Sequence, residues 1–207
     1  MDRGGGDEGD VVVLVPLKRL GLAKTRLALP AGIRRALALA MAADVVAAAR
    51  QVASVLVVSA DPDAAGLGVP VLGDAGGGLD AAVASAAARV TGPVAVLAAD
   101  LPAVLPDELA LALAVARRHP TAVLADTPGT GTCLLTASVG SGLRPSYGAG
   151  SLARHVGLGA ADLTPGLAVP GLRRDVDTLA DLRAAARLGL GPATTALLPQ
   201  VRDATAA

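Results

Sequence analysis

Phenylalanine and tryptophan are missing from this chain of 207 residues, and Tyr147 is its single tyrosine. A core without large rings has to be closed by Ala, Val and Leu, so helices and strands must approach closely through small side chains. One cysteine, Cys133, excludes an internal disulfide framework and fits a reducing cytoplasm. Its 18 basic and 18 acidic residues cancel, so the basic excess of a general nucleic-acid binder is missing. No apolar run approaches the ~18 residues of a membrane span. The polar, glycine-rich start "MDRGGGDEGD" reads as neither a signal peptide nor an anchor. The expectation is a cytoplasmic protein with no nucleic-acid and no membrane partner. Walker, nucleophile-elbow and zinc-ligand patterns are also missing, as is the G-x-G-x-x-G that a dinucleotide-binding oxidoreductase carries after its first strand.

What is present is a regular alternation. With 53% hydrophobic residues the chain can bury one substantial core. Residues 1–10 read as a disordered leader. Residues 11–15, "VVVLV", form the continuous apolar run of a parallel strand buried on both faces. Helices are expected over 31–52, 79–90, 106–119, 151–157 and 179–188. Further strands are expected over 55–59, 69–72, 94–98, 122–125 and 132–137, with a late strand over 172–176. Strands alternating with helices predict an α/β fold: a single domain over 11–190 whose mainly parallel, twisted sheet carries helices on both faces. Residues 191–207 form a C-terminal tail without an interpretable motif.

In such sheets ligands bind outside the carboxyl ends of the strands. The loop after the first strand supplies Lys18, Arg19, Lys24 and Arg26. The glycine-rich loop "GDAGGG" supplies Gly76, Gly77, Gly78 and then Asp80, the "ADLP" end of the fourth strand supplies Asp100, and the late segment supplies Asp175 and Asp177. Cations and carboxylates crowded on one edge make sense when a polyphosphate and a divalent metal lie between them. Glycines let backbone N–H groups approach such a ligand without a Cβ in the way. Lys24 and Arg26 stand near a helix start, where the helix dipole disfavours cations. One of Asp175 and Asp177 is expected to be structural, and Thr178 competes with them to cap the last helix. His119 is explained by its place at a helix end. His155, four residues after Ser151, is at most a supporting residue. Cys133 reads as a small buried hydrophobe.

The segments "VPLKRLGLAKTRLA", "AADLPAV", "GTGTCLLTA", "YGAGSLARH" and "PGLRRDVDTLADL", in this order across about residues 11–190, closely resemble the guanylyltransferases of deazaflavin (F-420) coenzyme biosynthesis. That resemblance implies a Rossmann-like nucleotidyltransferase fold of the glycosyltransferase-A type and the condensation of phosphoenolpyruvate with GTP. Its expected products are enolpyruvyl-diphospho-guanosine and pyrophosphate. It implies that Lys18, Lys24 and Arg26 contact the GTP phosphates and that Gly76, Gly77, Gly78 and Asp80 lie near guanine and ribose. Lys24, Arg26 and Asp100 would form the catalytic set. Asp100 would bind Mg²⁺ with Asp175 or Asp177, and Thr132, Gly148 and Ser151 would hold the phosphoenolpyruvate. Relatives often carry Asn in place of Asp80, and Phe and Pro in place of Tyr147 and Ala149. The acceptor phosphate is ionised at neutral pH, so the work is alignment and charge neutralisation, as expected of a site poor in His and Cys.

Phosphoenolpyruvate, 2-phospho-L-lactate and 3-phospho-D-glycerate remain alternative acceptors at this stage. A molybdenum-cofactor-type nucleotidyltransferase would have a glycine-rich loop after the first strand, where this chain has "PLKRLGLAKTRLA". A catalytically silent nucleotide-binding module has little need for Lys24, Arg26, Asp100 and the late aspartates together. Hand-over of the product to a deazaflavin-accepting transferase is a further expectation. Monomer and homodimer both stay open, with an edge strand or the hairpin at Thr132 as the surface for pairing.

Overall fold

The computed structural model describes residues 10–18, 20, 24, 26–74 and 76–206. Residues 1–9 of the expected leader, and Arg19, lie outside the described residues. In chain order the elements are β1 (Val12–Pro16), α1 (Ala31–Ala49), β2 (Ser54–Val58), β3 (Val71–Leu72), α2 (Leu79–Ala87), β4 (Val94–Leu97), α3 (Pro106–Ala116), β5 (Thr121–Ala125), β6 (Thr132–Ala137), α4 (Ser151–Gly157), β7 (Ala161–Asp162), α5 (Leu179–Leu188) and α6 (Pro192–Ala206).

The strands form one sheet in the order β3-β2-β1-β4-β6-β5-β7. All neighbours run parallel except β6, which is antiparallel to both β4 and β5. The chain builds outward from β1 through β2 to β3, then returns to lay β4 on the other side of β1. The crevice between β1 and β4 is therefore the switch point at which sheets of this kind bind ligands. Because β6 is interior, the Thr132 hairpin has no free edge for a second subunit, and the open edges belong to β3 and β7.

Alternation along the central strands explains the layering. Val13, Val15, Ala95 and Leu97 face α1 and α3 in one cluster, while Leu14, Val94 and Val96 face α2 in another. Both faces of β1 and β4 are thus dry, and each fully buried Val or Leu contributes about 1.5–3 kcal/mol. The lack of rings is met by close approach. A Cβ on Gly140 would stand 2.1 Å from the Ala87 carbonyl oxygen, so α2 and the chain after β6 touch backbone to backbone there.

Two late segments differ from the sequence expectation. Residues 172–176 form no strand, because side chains and loops take their backbone groups. The Glu108 carboxylate accepts the Gly171 and Leu172 N–H groups at 3.2 and 2.7 Å, and Val176 donates to the Asp100 carbonyl at 3.1 Å. The seventh strand is instead the two-residue β7. The stretch after Gly191 is helical: buried Asp44 of α1 accepts from Ala193 and Thr194 N–H at 2.9 and 2.8 Å, capping α6 across 149 residues of sequence. Leu37, Met41, Leu182, Ala185 and Val201 close a third apolar cluster among α1, α5 and α6.

Candidate active site

Lys24 follows β1 with φ of 57°, the sole positive φ outside glycine among the described residues. A left-handed conformation costs an ordinary residue about 1–2 kcal/mol, and such strain persists where the surroundings over-determine it. Here they do. The Lys24 ammonium donates to Asp100 Oδ2 at the end of β4 and to Asp177 Oδ1, the latter at 2.8 Å. Lys24 is only 11% exposed. Burial works against its charge, but Asp100 and Asp177 outweigh that, and its pKa lies above the usual lysine value. Arg26 is 77% exposed and reaches Asp177 Oδ2 at 3.4 Å. Helix α1 begins only at Ala31, behind Pro30, so Lys24 and Arg26 sit in the preceding loop and not at the helix start.

The carboxylates outnumber the cation that serves them. Burial, then Asp100, Asp126 and Asp177, push the Asp175 carboxyl up to about 6 against the pull of Lys24. Burial also disfavours the Asp177 charge, but the Lys24 bond and the positive charges of Lys24, Arg26 and Lys18 win and hold its pKa low. Exposed Lys18 therefore contributes to the site through its field. Thr178, and neither aspartate, caps α5: its hydroxyl accepts from Asp181 N–H, while Asp181 accepts from Thr178 N–H. That leaves both Asp175 and Asp177 free of the capping role. Among the described residues no three His, Cys, Asp or Glu side chains gather closely enough to hold a metal unaided.

A second group lies one strand further along. Opposite β5, Leu124 pairs with Leu134 but Ala125 with Thr132, so Cys133 is a bulge. The bulge lets Cys133 join Leu134 in the core on the α1 and α3 side, and turns Thr132 to the α4 side. Ser151 donates to the Thr132 hydroxyl at 3.0 Å, and His155 Nδ1 lies 3.0 Å from it. Burial, then the carboxylates Asp175, Asp100 and Asp126, push the Cys133 thiol well up, so it stays a protonated core group.

The glycine loop joins this second group. Gly76, Gly77 and Gly78 have φ of 92°, 87° and 90°, a run that side chains would strain. Asp80, in the first turn of α2, accepts the Tyr147 N–H at 2.8 Å, so one of its oxygens is already committed to the loop that carries Gly148. A groove of about 210 Å³ runs beside Gly76, Ala82 and Arg89. A cavity of about 510 Å³ lies at the opposite end of the strands, by Val11, Pro93, Leu113 and His119, and none of the converging charges reaches it.

Two participants escaped the sequence reading. Arg154 donates to the carbonyls of Ser146, Tyr147 and Ala149 and so fixes the loop around Gly148. Asp126, buried at the end of β5, accepts Thr130 N–H at 2.8 Å and adds to the negative field at Asp175. Its signal was legible: "AVLAD" ends in Asp after an apolar strand, just as "AVLAAD" ends at Asp100.

A mostly parallel sheet with cations and carboxylates at its β1/β4 switch point is the arrangement expected of a nucleotidyltransferase. A family model described as guanylyl transferase CofC like matches residues 11–162, and the chain belongs to that family. It is 49% identical to the phosphoenolpyruvate guanylyltransferase of Streptomyces coelicolor over 200 residues, covering 89% of this chain and 94% of that one. Among solved structures, a protein of Desulfovibrio desulfuricans G20 assigned as a nucleotide-diphospho-sugar transferase superposes with a TM-score of 0.65 at 17% identity, covering 93% and 97% of the two chains. Rv0371c of Mycobacterium tuberculosis H37Rv, in complex with manganese, superposes with a TM-score of 0.53 at 21% identity, covering 86% and 98%. At these identities the two structures speak for the fold alone.

Proposed function

We propose that the chain condenses phosphoenolpyruvate with GTP, releasing pyrophosphate and enolpyruvyl-diphospho-5'-guanosine. The observation that carries this reading is Lys24, held strained and largely sheltered between Asp100 and Asp177 at the switch point. An oxygen of the phosphoenolpyruvate phosphate attacks the α-phosphorus of GTP, the bond from that phosphorus to the bridging oxygen breaks, and pyrophosphate leaves with the electron pair. No proton has to be removed from the nucleophile. Lys18, Lys24 and Arg26 neutralise the triphosphate, and Gly76, Gly77 and Gly78, with the second oxygen of Asp80, receive the nucleoside. Thr132, Ser151 and the backbone at Gly148 hold the small acid, whose three-carbon chain and phosphate suit short hydroxyl donors.

The donor set fits a divalent cation. Asp100, Asp175 and Asp177 are hard oxygen donors, and the Asp175 pKa is raised first by burial and then by Asp100, Asp126 and Asp177, against the pull of Lys24. Asp100 with Asp177 or Asp175 would hold Mg²⁺ beside phosphate oxygens, where it would neutralise charge developing on the leaving pyrophosphate. In this reading the product serves deazaflavin coenzyme F-420 assembly in the cytoplasm and passes to a deazaflavin-accepting transferase.

Pyrophosphate release measured with GTP, Mg²⁺ and each of phosphoenolpyruvate, 2-phospho-L-lactate and 3-phospho-D-glycerate tests the proposal, with ATP and CTP as controls and the deazaflavin-accepting transferase as a trap. Release that requires both GTP and phosphoenolpyruvate is the expected result. Faster release with another acid reassigns the acceptor, and no release with any of them sinks the reading.

A further inference from the structure

His155 is 1% exposed, and its ring is bonded at both nitrogens. Nε2 accepts the backbone N–H of Ser146 at 2.9 Å, and Nδ1 lies 3.0 Å from Thr132 Oγ1. A backbone N–H can only donate, so Nε2 carries no proton. The ring is therefore neutral with its proton on Nδ1, and that proton goes to the Thr132 oxygen. Thr132 Oγ1 also accepts from Ser151 Oγ at 3.0 Å. Both of its lone pairs are then engaged, and among the described residues no acceptor takes its own proton. Tyr147 packs edge-on against the imidazole, with ring centroids 5.2 Å apart at 75°, and limits ring rotation.

We infer that His155 is a positioning residue that makes the Thr132 hydroxyl a fixed proton donor toward the anionic acceptor substrate. The inference rests on the reading that Thr132 and Ser151 hold that acid. It deepens that reading because it explains how two hydroxyls serve one anion. When Ser151 turns its proton to the ligand, Thr132 still has the His155 N–H on its oxygen and keeps its direction. Without His155, Thr132 is free to spend its proton on Ser151, and the pocket offers an anion one donor instead of two. The same ring holds Ser146, so the loop carrying Gly148 and the hydroxyl pair are set by one side chain.

The ionisable groups facing this ring come from three directions. Asp80 on α2 favours the imidazolium, Arg154 on α4 opposes it, and Arg144 lines the same small cavity. Burial is the largest influence and, together with Arg154, keeps the ring neutral.

The tautomer can be read without any substrate. The chain has only two histidines, His119 and His155, so ¹⁵N-histidine labelling of the full protein gives two ring spin systems, separated by the His119→Gln variant. Expected for His155 is a protonated Nδ1 and an unprotonated Nε2, unchanged between pH 6 and 8. A proton on Nε2, or an imidazolium at pH 7, overturns the inference whatever the enzyme turns over. The functional arm measures both Michaelis constants. His155→Phe should raise the KM for phosphoenolpyruvate about tenfold, equivalent to ~1.4 kcal/mol, with the KM for GTP and kcat within about threefold. His155→Asn, whose amide can stand in for Nδ1–H, should recover most of that loss. In a Thr132→Val background the His155→Asn and His155→Phe variants should bind the acid equally weakly. Equal losses for both variants in the native background, or losses that add fully to Thr132→Val, would mean that His155 only fills space. Wild-type protein that turns over none of the acids fails the proposed function and leaves the tautomer measurement to stand or fall separately.

Discussion

Two pockets share one sheet edge and are built on opposite plans. Around Lys24 the chain concentrates charge: an ammonium in a strained backbone, two carboxylates on it, and Asp175 and Asp126 left over. Around Thr132 there is no formal charge at the centre, only hydroxyls, a neutral imidazole and backbone groups, and the Thr132 proton is left without an acceptor among the described residues. The first pocket gathers several carboxylates around one ammonium, which suits the proposed metal–triphosphate ligand. The second is held by hydrogen bonds within the protein, so it selects by direction more than by field. The bulge at Cys133 holds them together, since the Cys133 carbonyl accepts Ala98 N–H at 2.9 Å just past β4, two residues before Asp100, and its neighbour Thr132 faces α4.

The largest effect should come from the charged side. Asp100→Ala removes the carboxylate that pairs with Lys24 and that is proposed to hold the metal, and turnover should fall by about 10³-fold, the scale of losing a principal electrostatic contact. The circular dichroism spectrum should be unchanged, because the Asp100 carbonyl that accepts Val176 N–H is kept and Asp177 still holds Lys24. A variant within tenfold of the native rate would remove Asp100 from the metal site.

Asp175 tests whether the charge excess is real. Its folded pKa of about 6 lies above the ordinary carboxylate value, so the folded state binds this proton more tightly than the unfolded chain. Stability is therefore lost as pH rises from about 4 through 6; the full shift corresponds to about 3 kcal/mol at neutral pH, which solvent screening of this half-buried carboxyl reduces to on the order of 2 kcal/mol. Asp175→Asn should raise the melting temperature at pH 7.5 and change it little at pH 4.5. Asp177, with its pKa lowered, has the opposite sign: its contribution is present above pH 4 and fades in acid. Equal shifts for Asp175→Asn at both pH values would show that the carboxylates are already balanced.

On the neutral side the expected effect is smaller and confined to one substrate. Ser151→Ala removes one donor from an arrangement that keeps His155 on Thr132. The KM for phosphoenolpyruvate should rise about tenfold, the scale of one hydrogen bond to an ion, while the KM for GTP stays within twofold. A change in the GTP constant of the same size would merge the two pockets into one.

The same contrast decides what could be read from the sequence. β1, β4 and β6 were legible because buried strands are apolar runs, and Asp100 was legible because it ends one of them. Asp126 carried that signal too and went unused. The expected strand at 172–176 failed since periodicity does not show that Glu108, 63 residues away, takes the Gly171 N–H. Helix α6 was illegible for a related reason: its cap is Asp44, distant in sequence, and Pro199 interrupts its pattern. Arg154 left no trace because its partners are carbonyls, which every residue has. The charged pocket was thus largely visible as residue types, whereas the neutral pocket depends on a bulge and a tautomer, which are geometric.

Arg26 sharpens the comparison at its weakest point, since it contributes charge to the first pocket from the solvent side. Its pair with Asp177 is long, and the guanidinium is 77% exposed. Exposed pairs of this kind contribute little, and salt screens them over about 10 Å at 0.1 M. Arg26→Ala should therefore raise the KM for GTP by roughly threefold at low ionic strength, and the difference should vanish by about 0.5 M salt. Lys24, 11% exposed between Asp100 and Asp177, should show no such rescue: Lys24→Ala stays impaired at every salt concentration because so sheltered an ammonium is screened far less than Arg26. If the Arg26 deficit persists in high salt, that side chain makes a direct, desolvated contact with the nucleotide phosphates, and the charged pocket extends outward beyond Asp177.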